Sequence, residues 1–147
     1  MGGVTDTDGQ PGAEIIVLWA RGVGALSSKG IDVIHDRTGV TKEYNYQRSN
    51  FSINSLTDTD GQPGAEIVVL WARGVGSLSS NGIDVIHDRT GVTNTYTINT
   101  KKLTINGVRD YNGIAGAEIC YSWLLSGRTR YSLIVDRTRT IVATTGC

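Results

Sequence analysis

Apolar positions along the chain fall in short runs rich in β-branched residues, separated by Gly, Asp, Asn and Ser. That pattern predicts strands and turns, not helices. The run Ile15-Ile16-Val17-Leu18-Trp19-Ala20 is apolar at both alternating sets of positions, so Glu14–Arg21 is expected to be a strand covered on both faces. A second strand is expected over Ile31–Asp36, followed by a turn at Asp36-Arg37-Thr38-Gly39 and a third strand near Val40–Tyr46, matched by Val92–Ile98. A fourth passes through Phe51, Ile53 and Leu56, and is answered later by Leu103, Ile105 and Val108. Four strands in about 50 residues is the period of a propeller blade.

The pattern repeats. Ala13-Glu14-Ile15 recurs as Ala65-Glu66-Ile67 and as Ala117-Glu118-Ile119, in two steps of 52 residues. Between Thr5–Thr41 and Thr57–Thr93 only Ile16/Val68, Ala25/Ser77 and Lys29/Asn81 differ, so 34 of 37 positions match. The third unit is more divergent and has a contracted loop between Trp123 and Asp136. The expected fold is all-β: one repeat domain of blade-like antiparallel units at 6–57, 58–109 and 110–147, either propeller-like or a stacked array, with residues 1–5 the remnant of a preceding strand. By this phasing the third unit ends before a fourth strand can form, which would leave a bare sheet edge. Self-association into a ring or a fibre is the expected remedy.

Composition narrows the function classes. Fourteen Lys and Arg balance fourteen Asp and Glu, so no global basic field suggests nucleic acid or an anionic membrane. No apolar run reaches a membrane span, and the start through Thr5-Asp6-Thr7-Asp8 lacks the charged, apolar and small-residue pattern of a leader, so a soluble or mature chain is expected. Nineteen glycines imply many turns, whereas the apolar runs argue against disorder.

The most specific chemical feature is Asp6-Thr7-Asp8-Gly9-Gln10-Pro11-Gly12-Ala13-Glu14, repeated from Asp58 and, in altered form, from Asp110. Alternating oxygen ligands in a tight Gly-containing loop, closed by a later carboxylate, follow the logic of calcium loops. The alternative is that Asp and Asn cap the turn through backbone N–H groups. The motif and the repeat together resemble the FG-GAP or VCBS-type blade of integrin-like propellers. That resemblance implies calcium ligands at Asp6, Asp8, Gln10 and Glu14, and at Asp58, Asp60, Gln62 and Glu66; Gln10 and Gln62 stand where the family has its third Asp. In the third loop it leaves Asp110, Asn112 and Glu118.

His35-Asp36 and His87-Asp88 look like general-base pairs, but adjacent strand residues point to opposite faces, and the third unit has Val135 at the His position while keeping Asp136-Arg137-Thr138. An Asp/Arg interaction within the turn is the expectation, and no catalytic residue is assigned. Arg21-Gly22-Val23-Gly24 lacks the Lys and the helix of a phosphate loop. Trp19, Trp71 and Trp123 share one repeat position and are expected to pack neighbouring units, with a sugar-binding surface as the alternative. Cys120 and Cys147 can form one disulfide, or stay as a buried thiol and an unrelated terminal one; the disulfide would imply an oxidising compartment. Asn50-Phe51-Ser52 is an N-glycosylation acceptor. Together these readings predict a noncatalytic extracellular structural or adhesive module. The competing readings are a calcium-dependent or carbohydrate-binding domain of a surface protein, and an accessory domain of a secreted enzyme.

Overall fold

The computed structural model describes residues 3–21, 28–46, 49–74 and 80–147. The segment containing Gly22-Val23-Gly24 lies outside them. Among the described residues there is no helix, and hence none long and apolar enough to cross a membrane. The described residues form twelve strands in three four-stranded antiparallel sheets. Sheet 1 contains β1 (Gly3–Thr5), β2 (Glu14–Arg21), β3 (Ser28–His35) and β4 (Val40–Asn45). Sheet 2 contains β5 (Ser49–Thr57), β6 (Glu66–Arg73), β7 (Ser80–His87) and β8 (Val92–Thr97). Sheet 3 contains β9 (Lys101–Arg109), β10 (Glu118–Leu125), β11 (Arg128–Val135) and β12 (Thr140–Thr144).

In each sheet the strands pair in chain order. The strand expected to close one unit therefore opens the next: Leu56 pairs with Ile67 across β5 and β6, and Val108 with Ile119 across β9 and β10. This corrects the bare-edge expectation, because β9 gives sheet 3 its four strands. The acidic loops, 6–13, 58–65 and 110–117, are the hairpin connections within a sheet, whereas the shorter segments 46–48 and 98–100 carry the chain from one sheet to the next. β5 and β9 break register at equivalent places, beside Asn54 and Asn106.

The sheets pack face to face around two apolar layers. Ile16, Ile31 and Val33 of sheet 1 meet Ile67, Val69, Trp71 and Ile86 of sheet 2. On the other side of sheet 2, Val68, Ile83 and Val85 meet Ile119, Tyr121 and Ile134 of sheet 3. β6 is thus buried on both faces, as its unbroken apolar run requires. Trp71 is buried in the first layer and Trp123 packs on the second. Trp19, at the same repeat position, is half-buried on the outer face of sheet 1.

The acidic loops also stack. Ala65 N donates to the Asp6 carbonyl at 2.7 Å, and Ala117 N to the Asp58 carbonyl at 2.8 Å. Gly64 makes the approach possible: its φ is +103°, and a Cβ there would lie 2.9 Å from Gly9 N. Its counterpart in sheet 1, Gly12, has nothing within 4 Å of that position. Beyond sheet 3, the outer face of β10 is closed by a disulfide between Cys120, fully buried, and Cys147.

Candidate functional site

Two equivalent networks of charged and polar side chains lie buried between the sheets. Each is centred on an Asp of the Asp-Arg-Thr turn, and each Asp belongs to one sheet while its partners belong to the sheet before. Asp88, 0 % exposed, receives the Tyr44 hydroxyl on Oδ1 at 2.7 Å and the Thr7 hydroxyl on Oδ2 at 2.9 Å. Its backbone carbonyl accepts from Lys42 Nζ at 2.7 Å. His35 Nε2 lies 2.8 Å from Asp88 Oδ2, close enough for an ion pair although not aligned as a hydrogen bond. Asp136, 2 % exposed, repeats the arrangement with Tyr96, Asn94, Thr59 and His87, the last at 2.6 Å.

The other imidazole nitrogen points back into its own sheet's acidic loop. His35 Nδ1 lies 3.3 Å from Asp8 Oδ2 and 3.9 Å from Glu14 Oε1. His87 Nδ1 lies 3.4 Å from Asp60 Oδ2 and 3.7 Å from Glu66 Oε1. The second oxygen of each Glu is already engaged, accepting from the Thr7 N–H at 2.7 Å and from the Thr59 N–H at 2.6 Å. Each histidine is therefore held between carboxylates of two sheets.

The electrostatics follow from burial competing with these partners. Burial opposes a charge on His87, but Asp136, followed by Glu66 and Asp60, outweighs it and raises the His87 pKa. Glu66 is pushed up to about 7, chiefly by burial and with a further push from Asp60, against the pull of the Thr59 N–H and His87. Burial opposes ionisation of Asp136 as well, yet hydrogen bonds from His87, Tyr96 and Asn94 hold its carboxyl below the ordinary range. Asp8 is also lowered: burial acts against it, and the Gln10 N–H, His35 and Arg37 prevail.

The structure divides the residues proposed from the loop motif. Asp8, Glu14 and His35 converge, as do Asp60, Glu66 and His87; within each trio the donor atoms lie within 4.8 Å of one another. Asp6 and Asp58 do not join them. Asp6 Oδ1 accepts from the Asp8 and Gly9 N–H groups, and Asp58 Oδ1 from those of Asp60 and Gly61. Gln10 and Gln62 are exposed, and their backbone N–H groups donate to Asp8 and Asp60. In the third loop Asp110 and Asn112 cap the turn in the same way. Glu118 Oε1 is buried without a hydrogen bond, 3.9 Å from Arg137 Nη1. Asn50 is exposed on β5 and accepts from Lys29 Nζ at 3.4 Å.

The turn Arg does not pair with the turn Asp, which corrects the expected Asp/Arg contact. Arg37 reaches back to Asp8 at 3.5 Å and Arg89 to Asp60 at 3.4 Å, while Asp88 bonds to the neighbouring sheet and Asp36 stays exposed. Sequence reasoning also missed Thr7, Tyr44 and their counterparts Thr59 and Tyr96. Their signal was the survival of Asp136 where the histidine becomes Val135. Asp136 serves His87 of the sheet before it, whereas Val135 belongs to the socket of sheet 3, which also has Tyr111 and Thr144 where sheet 1 has Thr7 and Tyr44.

A second contact accompanies the first. Tyr46, stacked on Phe51, donates to Asp84 Oδ2 at 2.8 Å while Trp71 Nε1 donates to Oδ1 at 2.7 Å. Trp19 and Asp32 repeat the intrasheet half of this contact at 2.8 Å. At the next interface Ile98 and Ser132 stand in place of Tyr46 and Asp84, so the tyrosine donor and the carboxylate are lost together. No protein-family model matches the chain, and neither a curated protein nor a solved structure matches it.

Proposed function

We propose that the chain is a noncatalytic structural repeat module of an oxidising, extracellular setting. Its propeller-blade-like sheets, joined face to face by buried Asp plugs, form a rigid scaffold that presents loops and faces to other molecules. The observation that carries this reading is the use of the histidines. His35 and His87, the residues most suited to acid-base work, are buried between carboxylates of adjacent sheets, where they serve as cross-links and are shielded from any dissolved substrate. The Cys120–Cys147 disulfide supports an oxidising compartment.

The test is to separate interlocking from chemistry. His87→Gln should lower the melting temperature and broaden the transition as sheets 2 and 3 uncouple. An unchanged, single transition would overturn the scaffold reading.

One observation favours a second reading, a divalent-cation site. The trios Asp8–Glu14–His35 and Asp60–Glu66–His87 bring two carboxylates and an imidazole together. Such a mixed set suits zinc better than calcium, for which all-oxygen shells are usual. A rise in melting temperature with millimolar calcium or micromolar zinc, lost in Asp8→Asn with Asp60→Asn, would favour this reading over the salt-bridge one.

A further inference from the structure

We propose that the outer face of sheet 1 is a docking surface for one further β-sheet of this same repeat kind, presenting a Thr–His–Tyr socket to Asp36 and a second tyrosine hydroxyl to Asp32. The proposal rests on the scaffold reading and names the partner that such a scaffold would accept.

The face is built for contact. Ile15, Val17, Trp19, Asp32, Ile34 and Asp36 occupy the repeat positions that in sheet 2 are Ile67, Val69, Trp71, Asp84, Ile86 and Asp88, and each pair is identical. In sheet 2 all six are buried against sheet 1. In sheet 1 Ile15 is 42 % exposed and Asp36 is exposed. The two carboxylates also lack what their counterparts receive. Asp84 takes a hydroxyl from Tyr46 and Asp88 takes one each from Tyr44 and Thr7, while among the described residues only Trp19 donates to Asp32. Gly12 leaves open the space that Gly64 fills against the preceding loop.

The occupant follows from the established interfaces. Every face that covers an Asp plug in this chain carries Thr, His and Tyr at the positions of Thr7, His35 and Tyr44, together with a branched aliphatic layer. A second copy of the chain cannot supply such a face from its far end: sheet 3 has Tyr111, Val135 and Thr144 there, and its Cys120–Cys147 disulfide lies over β10. The sockets of sheets 1 and 2 are already filled. The partner is therefore another unit of the sheet 1 type.

An in-register insertion tests this: residues 1–56 joined to residues 5–147, so that a second sheet 1 precedes the original one. Because Leu56 occupies the repeat position of Val4, the splice keeps the strand phase. The elongated chain should melt in one transition, about 5 °C or more above the parent. Asp36→Asn should be silent in the parent, but in the downstream copy of the elongated chain it should abolish most of that gain. Two separate transitions, aggregation, or a silent downstream Asp36→Asn would overturn the proposal. If Asp88→Asn still destabilises both chains, the scaffold reading survives that failure; if Asp88→Asn is silent too, both readings fall. Sedimentation of the parent should give a monomer, and a dimer dispersed by Asp36→Arg would replace the proposed partner with a second copy.

Discussion

Asp36-Arg37-Thr38-Gly39 and Asp88-Arg89-Thr90-Gly91 are the same four residues at the end of the same strand, yet the first Asp is exposed and the second is 0 % exposed. Both turns make the same local bonds, with Gly39 N and Gly91 N donating to the carbonyls of His35 and His87 at 2.8 Å. Only the neighbour differs. Local sequence sets the turn, and the sheet in front of it sets whether the carboxylate is a surface charge or a buried cross-link. In a repeat array the energetic role of a residue belongs to an interface and not to a unit.

The comparison breaks most visibly at the carboxylates. Asp136→Ala should cost about 3–5 kcal/mol, because it leaves His87, Tyr96 and Thr59 buried around an empty position, while Asp36→Ala should stay within about 0.5 kcal/mol. Urea midpoints of the two variants measure the contrast directly, and equal midpoints would show that burial of the plug contributes nothing. Reducing the Cys120–Cys147 disulfide is expected to cost about 2–4 kcal/mol. Hydrogen exchange should then rise in sheet 3 first, leaving the first interface protected.

A smaller effect is expected from pH. The raised His87 pKa stabilises the fold fully below the unfolded value near 6.5, and that contribution is lost as pH rises through the higher folded value. Glu66 acts in the same sense: with its folded pKa near 7, its ionisation costs stability as pH climbs from the unfolded value of 4.5. Asp136 and Asp8, held low, add stability above their unfolded values that is lost only in acid. Stability should therefore decline from about pH 5 toward pH 8, and His87→Gln should flatten the upper part of that decline; a profile rising across this window would contradict the assignments.

Much of the fold was legible because β-branched runs and Gly-rich turns are local signals. The strand cores Ile15–Ala20 and Ile31–His35 could be read directly, and so could the repeat. The phase of the sheets could not. Periodicity marks Phe51–Leu56 as a strand, but not whether it pairs backward with β4 or forward with β6; loop length would favour β4, the nearer strand in the chain, yet the pairing runs forward across the acidic loop, Thr57 with Glu66. The candidate site was half legible. Asp8 and Glu14 stand out in the loop motif, whereas their histidine lies 21 residues beyond Glu14 and its second carboxylate lies in the next sheet. Contacts between repeats are invisible to an argument made one repeat at a time.

The paired change from Tyr46 and Asp84 to Ile98 and Ser132 bears on how nearly identical units find their proper neighbours. Sheet 3 laid on sheet 1 would leave the Tyr46 hydroxyl facing Ser132, and a second sheet 2 laid behind sheet 2 would bury the Asp84 carboxylate against Ile98. The second wrong pairing strands a carboxylate that the right pairing satisfies, and the first exchanges a charged acceptor for the weaker serine hydroxyl. The couple works as an address, written in one hydrogen bond, that favours sheet 2 as the neighbour of sheet 1 over a sheet lacking the carboxylate.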